Sequence, residues 1–324
     1  MFVLVTGATG LLGNNLVRML LARGDRVRVL ARASSDPKSL AGLSIERTEG
    51  DIREPEAVAA ACRGVDAVIH SAGYVNIGWS QPELYQAINV EGTRHVAQAA
   101  RMANLRMVHV SSVDALGLGT LEKPADEETP PEGLLEIPYV VTKREAERVV
   151  QEEIARGLNA TIINPGYMLG PWDWKPSSGR LLLNVASRWV PMAPIGGNNF
   201  VDVRDVASGT LTALERGQVG RRYILGGDNL DYYSVFHHFA KLGGRAGPWG
   251  RLGPMARWVV ANVGDLWYRL TGHEPDINSG AVYSSKDPHY FTSARAEQEL
   301  DYRHRPFEEA AQGAWDWFGS NGYR

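Results

Sequence analysis

The chain opens MFVLVTGATGLLGNNLVRMLLARG (Met1–Gly24), and the reading of this stretch decides the fold. An apolar, β-branched run stops at Thr6, and three glycines follow within seven positions: Gly7, Gly10 and Gly13. Glycine loses more backbone entropy on folding than any other residue, so this density needs a physical reason. The leucine-rich period that resumes at Leu11 reads as a helix, which makes the segment strand–turn–helix. A GxxGxxG turn in that context brings bare backbone and a helix N-terminus against an anion, as a dinucleotide pyrophosphate requires. An ordinary strand-to-helix turn is the competing reading, and a glycine triplet alone does not separate them.

The following sequence repeats the alternation. Phe2–Val5, Arg26–Leu30, Ser44–Thr48, Ala67–His70, Arg106–Val110 and Ala160–Ile163 read as strands. Leu11–Arg23, Pro55–Cys62, Pro82–Ala103 and Pro138–Ala155 read as helices. Near-continuous apolar strands separated by helices predict an α/β fold, a doubly wound parallel (Rossmann) sheet covered on both faces. Residues 1–165 form the expected dinucleotide-binding domain. After Gly166 the texture changes to loops rich in Pro, Gly and Trp, with helices at Asp231–Leu242 and Met255–Leu270. Residues 166–324 are expected to form mainly a smaller C-terminal substrate lobe, from which later segments can return to the sheet.

Composition narrows the partners. A net charge of −3 gives no general pull toward nucleic acid or anionic surfaces. Cys62 stands alone, which excludes an intrachain disulfide and a two-cysteine metal site. His237 and His238 have no acidic or cysteine partner at ligand spacing, so no metal is expected. The apolar stretch Met255–Val263 is interrupted by Arg257 and Asn262 and falls short of the roughly 18 residues of a membrane span. No signal peptide is read at the N-terminus, and the expectation is a cytoplasmic protein acting on a small molecule.

The end of the second strand bears on the cofactor. An acidic residue there holds a free ribose 2′-hydroxyl, whereas an arginine suits a 2′-phosphate. Here Ala31 takes the acidic position and Arg32 follows, with Ser34, Ser35 and Lys38 nearby, which favours NADP(H) over NAD(H). The alternative is an arginine that merely ends a strand. Tyr139 and Lys143 lie four apart at the start of a helical pattern and therefore share one face. A phenol titrating near pH ~10 is a poor acid–base catalyst, and a neighbouring cation is expected to lower that value. Ser111 and Ser112 end the fifth strand, at the sheet edge where open α/β folds bind ligands.

With these residues the sequence resembles an extended short-chain dehydrogenase/reductase of the NAD-dependent epimerase/dehydratase family. The shared motifs are TGATGLLG, Gly50-Asp51-Ile52, His70-Ser71-Ala72-Gly73, Asn89-Val90-Glu91-Gly92-Thr93, Ser111-Ser112-Val113, YVVTK, Asn164-Pro165-Gly166 and FVDVRDVA. Within it the chain is most similar to the dihydroflavonol-reductase-like branch, near bacterial hopanoid-associated sugar epimerases. The resemblance implies that Gly7, Thr9, Gly10, Leu11, Leu12 and Gly13 cradle the pyrophosphate. It places Asp51 and Ile52 by the adenine, Ser71, Ala72 and Gly73 along the ribose path, and Pro165, Gly166 and Met168 beside the nicotinamide. Ser112, Tyr139 and Lys143 become the catalytic set, with Ser112 and Tyr139 also touching substrate. A homodimer through the helices around the YxxxK segment is also implied.

For the substrate lobe, Trp172 and Trp174 are expected as pocket walls for a planar or polycyclic ligand, with Arg204 as an anchor for an anionic group. Core packing is the bland alternative for each. Three functions remain open: carbonyl reduction with NADPH, nucleotide-sugar 4-epimerisation with retained NAD, and a non-catalytic NADP-binding redox sensor. Arg32 favours the first, and Asn164-Pro165 keeps the second in view.

Overall fold

The computed structural model describes every residue, Met1–Arg324. The apolar runs become strands β1 (Phe2–Thr6), β2 (Arg26–Ala31), β3 (Glu46–Glu49), β4 (Ala67–His70), β5 (Arg106–Val110) and β6 (Asn159–Pro165). A seventh strand, Arg222–Leu225, completes a parallel sheet of order β3-β2-β1-β4-β5-β6 and then Arg222–Leu225. The order reverses between β1 and β4, which opens a crevice at the carboxyl ends of these strands. Central strands β1 and β4 are wholly buried, and edge strand β3, sequence ERTE, is mostly exposed. Burial on two faces explains why the central strands read as unbroken apolar runs.

Each face of the sheet has its own core. Helix α1 (Leu11–Ala22) and the helix Val203–Arg216 cover one side, where Leu16, Leu20, Val206 and Leu211 meet Val3, Val5 and Val29. Helix α2 (Pro55–Cys62) and the helices Gly92–Met102 and Pro138–Ala155 cover the other, over Leu4, Val68, Met107 and Ile162. Val203–Arg216 and Arg222–Leu225 thus belong to the sheet layer although they lie beyond residue 166. The helix expected over Pro82–Ala103 is divided: Pro82–Tyr85 and Gly92–Met102 are joined by a wide π-type turn, Gln86–Glu91. Such turns concentrate at functional sites, and this one places buried Asn89.

The C-terminal lobe is built on the strand Gly197–Asp202. It pairs in parallel with Tyr167–Leu169 and Pro288–His289 and antiparallel with Asp228–Asp231. A third, aromatic core under Phe200, Phe236, Phe307 and Phe318 seals this lobe. No helix of the chain is long and apolar enough to cross a membrane.

Candidate active site

The three loop glycines do different work. Gly7 sits at φ +71° and so close to the β4 end that a Cβ would lie 2.6 Å from the Ala72 nitrogen. Gly13 is buried, and a Cβ there would run into the Gly7 carbonyl. Gly10 alone is exposed, with only the Gly7 oxygen, 3.4 Å from a notional Cβ, near it. Gly7 and Gly13 let strand and helix close together, and Gly10 leaves a bare surface at the mouth of the crevice. Helix α1 has no side-chain cap and no acidic residue in its first turn. An uncapped N-terminus beside an open glycine fits a pyrophosphate. Leu11 and Leu12 turn their side chains into the core, so they have only backbone to offer, and Thr9 is half-exposed on the loop.

Along the crevice, Ala72 donates its N–H to Thr6 Oγ1 at 3.3 Å, and Ser71 is half-buried. Gly73 lies against Lys143, whose Nζ would be 3.5 Å from a Cβ. At the β2 end Ala31 is buried and Arg32 is exposed with no carboxylate in contact. Arg47 donates to the Arg32 carbonyl at 3.0 Å, so two guanidinium-bearing residues sit where one was read. Asp51 is paired with Arg53 at 2.8 Å, which holds its carboxyl below the usual range, and Ile52 is buried against Gly92. Lys38, expected nearby as a phosphate donor, instead lies over Trp174, 5.2 Å from the ring centre. Pro165 ends β6, Gly166 packs on Asn199, and Met168 lies against the sheet core.

At the other end of the crevice, the structure brings Ser112, Tyr139 and Lys143 together. Ser112 follows β5 and begins a short turn, Val113–Ala115, accepting the Asp114 N–H at 3.2 Å and donating to Asp114 Oδ2 at 3.1 Å. Tyr139 and Lys143 occupy the first turns of the helix Pro138–Ala155, started by Pro138 and buried. The Lys143 ammonium donates to the Val110 carbonyl at 3.2 Å and lies 6.0 Å from the Tyr139 ring centre. Asn89 fixes this corner. Its amide donates to Thr142 Oγ1 at 3.1 Å, and its oxygen accepts the Tyr74 N–H at 2.7 Å. Asn164 donates to the Ser112 carbonyl at 2.8 Å and to Glu147 at 2.6 Å, tying β6 to the turn after β5 and to the helix that carries Tyr139 and Lys143.

Electrostatics correct one expectation. In the chain by itself the Tyr139 phenol is not depressed: burial pushes it up, the Asp114 carboxylate adds to this, and only Ser112 opposes. Lys143 is itself lowered to about 8 by burial and still carries its charge at neutral pH, but that charge does not offset the desolvation of the phenol. Sequence reading also missed His289. It lies on the lobe strand Pro288–His289, with Nδ1 3.4 Å from Asp114 Oδ1 and Nε2 3.1 Å from the Ser284 carbonyl. Burial disfavours its charge, but the Asp114 carboxylate outweighs that and raises its pKa. Asp114 was visible beside Ser112 in the sequence, whereas nothing local marks His289.

A cavity of about 400 Å³ opens from this corner into the lobe. Its wall begins at Asp114, His289, Ile137 and Val140 and continues through Tyr167, Phe236, Val260 and Ile277. The lining does not include Trp172, Trp174 or Arg204, which corrects their expected place at the substrate. Trp172 and Trp174 pack on Trp317 with ring centres 6.0 and 5.0 Å away, and Arg18 covers Trp172. Arg204 is spent on Asp202, the residue that caps its own helix. These side chains hold the lobe to α1 and to the C-terminal helix Phe307–Ser320.

Comparison with known proteins identifies the family and the fold. A family model described as "NAD dependent epimerase/dehydratase family" matches residues 3–226. Sterol demethylase protein B of Methylococcus capsulatus is 34% identical over 99% of this chain and 99% of its own. A Synechocystis protein with a provisional dihydroflavonol 4-reductase name is 33% identical over 98% of this chain and 95% of its own. The solved structure of a nucleoside-diphosphate-sugar epimerase from Pseudomonas aeruginosa superposes with TM-score 0.82 at 26% identity, covering 100% of this chain and 99% of that one.

Proposed function

This chain belongs to the NAD dependent epimerase/dehydratase family and is an oxidoreductase of the extended short-chain dehydrogenase/reductase type, and from that premise we propose that it reduces the carbonyl of a bulky apolar compound with NADPH, or runs the reverse oxidation. The observation that carries this reading is the cavity, lined mostly by apolar side chains and ending at Asp114 and Val140, beside Ser112 and Tyr139. A relative named for sterol demethylation supports a large apolar substrate.

The residues divide the work. Ser112, its rotamer held by Asp114, hydrogen-bonds the substrate oxygen. Tyr139 gives that oxygen a proton in reduction and takes it back in oxidation. Lys143, anchored on Val110, holds the nucleotide ribose and supplies the positive charge in the site. The glycine loop and the α1 N-terminus hold the pyrophosphate. When bound, the dinucleotide supplies the hydride. Arg32 and Arg47 receive the 2′-phosphate, since Asp51 is engaged by Arg53 and Ala31 offers no carboxylate to a free 2′-hydroxyl.

Nucleoside-diphosphate-sugar epimerisation is the second reading, favoured by Arg180, Arg188 and Arg257 on the cavity wall. Arg180 is already paired with Asp276 at 3.0 Å, which weakens it as a diphosphate anchor. Purified protein is incubated with NADPH and a panel of polycyclic and isoprenoid ketones, and separately with nucleotide sugars. Stoichiometric NADPH oxidation with a ketone supports the proposal. Epimerised sugar with no net cofactor consumption replaces it by the second reading. For the cofactor, Arg32→Ala weakens NADPH by about 10-fold or more and NADH far less, in line with losing a charge-assisted contact. Equal weakening of both would remove the 2′-phosphate assignment.

A further inference from the structure

The helix Pro254–Thr271 carries its apolar side outward. Met255, Trp258, Val263, Leu266, Trp267 and Leu270 are 54–81% exposed and recur at helical spacing along one stripe. Only Ala261 and Gly264 are buried, and Gly264 packs so tightly that a Cβ would collide with the Ile277 carbonyl. The small residues therefore face the protein and the large apolar ones face out. Trp249 is 79% exposed and packs on exposed Trp189, with ring centres 4.6 Å apart, and Ile277 is 52% exposed. A monomer in water rarely leaves so long a contiguous apolar surface uncovered.

Charge identifies the cover. The only carboxylate of this helix, Asp265, accepts the Ser279 backbone N–H at 3.0 Å and lies off the stripe. Arg269, exposed on the same helix, has no carboxylate partner, and neither has exposed Arg188 next to Trp189. An outward row of Trp, Leu and Val beside unpaired arginines, with no acid on the row, matches the acyl–headgroup boundary of an anionic bilayer. At ~1.5 Å per residue, 18 residues give a stripe ~27 Å long that lies in the plane of the surface. The underside of the same helix, through Arg257 and Val260, is a wall of the cavity, together with Leu252 and Ile277.

We propose that the Pro254–Thr271 helix seats the protein on an anionic lipid surface, its Met255–Leu270 stripe among the upper acyl chains. Entry of an apolar substrate from the lipid into the cavity is the functional consequence, and that part alone rests on the proposed reductase activity.

The test uses the full chain with sucrose-loaded vesicles of phosphatidylcholine, with and without phosphatidylglycerol, and sedimentation. The wild type co-sediments with the anionic vesicles. Trp258→Ser/Trp267→Ser/Leu270→Ser, all exposed positions, lowers partitioning at least about tenfold, with unchanged circular dichroism and melting. Arg269→Gln removes only the part that depends on phosphatidylglycerol. Wild type left in the supernatant with both vesicle types overturns the proposal. So does a dimer, seen by light scattering, that the triple serine variant converts to monomer, because a second copy then covers the face. Vesicle binding without ketone reduction would keep the docking surface and discard the reductase reading.

Discussion

Lys143 is the residue on which the chemistry and the stability of the site collide. Its ammonium is buried next to Val110, and burial brings its pKa from 10.5 down to about 8. In the unfolded chain the same amine stays protonated to its ordinary value. Between about 8 and 10.5 the unfolded state therefore binds more protons, and stability contributed by this residue rises with pH across that window. Lys143→Met removes the titration, so the difference in urea midpoint between wild type and variant, in nucleotide-free protein, is steep there and flat below it. A difference independent of pH would show that the amine is not desolvated. Tyr139→Phe keeps ring packing and removes the proton donor: turnover falls by about 10²–10⁴-fold while NADPH affinity, read by fluorescence, stays within a few-fold. Retained turnover would assign the proton to another group. The meeting of Ser112, Tyr139 and Lys143 at one corner was legible because strand end and helix start are local patterns. His289 was not, because its partner Asp114 is reached only through the tertiary fold.

The strand–turn–helix that opens the chain separates two roles that a glycine motif merges. Gly10 has room for a methyl group and an extended backbone at φ −85°, whereas Gly13 has none. Gly10→Ala accordingly leaves the melting temperature almost unchanged and weakens nucleotide binding at least about tenfold by covering the bare backbone. Gly13→Ala overpacks the turn and costs about 1–3 kcal/mol of stability, measurable by urea titration without any nucleotide. Equal losses of stability would mean the loop is one packed unit with no open glycine. The central strands and the α1 turn were readable here because burial on both faces leaves an apolar signature, which exposed β3 (ERTE) lacks. Arg222–Leu225 was not read as a strand: its apolar run, Tyr-Ile-Leu, is three residues long, and its parallel partner β6 lies far back in the chain. The π-type turn at Gln86–Glu91 was equally invisible, since one extra residue per turn leaves the helical period nearly intact.

The two halves of the molecule meet across the site, and the contacts there are polar and reach far in sequence. Glu274, just past the outward-facing helix, takes the Trp79 N–H at 2.7 Å and holds the loop leading to Asn76 and Ile77 on the cavity wall. Asp114 and His289 join the sheet edge to the lobe sheet beside Ser112. The sequence alone could mark neither, because lobe contacts obey no local period; its tryptophans were assigned to the pocket and instead bind the lobe to α1. The Asp114–His289 pair makes the junction sensitive to pH. The carboxylate raises the His289 pKa above 6.5, its ordinary value, so the unfolded chain loses this proton before the folded one. The stabilisation is fully present below pH 6.5 and fades as pH rises through the higher folded value. His289→Gln preserves size and a hydrogen bond but cannot charge. The wild-type advantage over this variant, on the order of 1 kcal/mol for an ion pair at 3.4 Å, is therefore largest in mildly acidic solution and shrinks toward neutral and alkaline pH. Urea midpoints for both proteins across that range measure it, and an advantage that does not change with pH would leave His289 neutral and the junction held by packing alone.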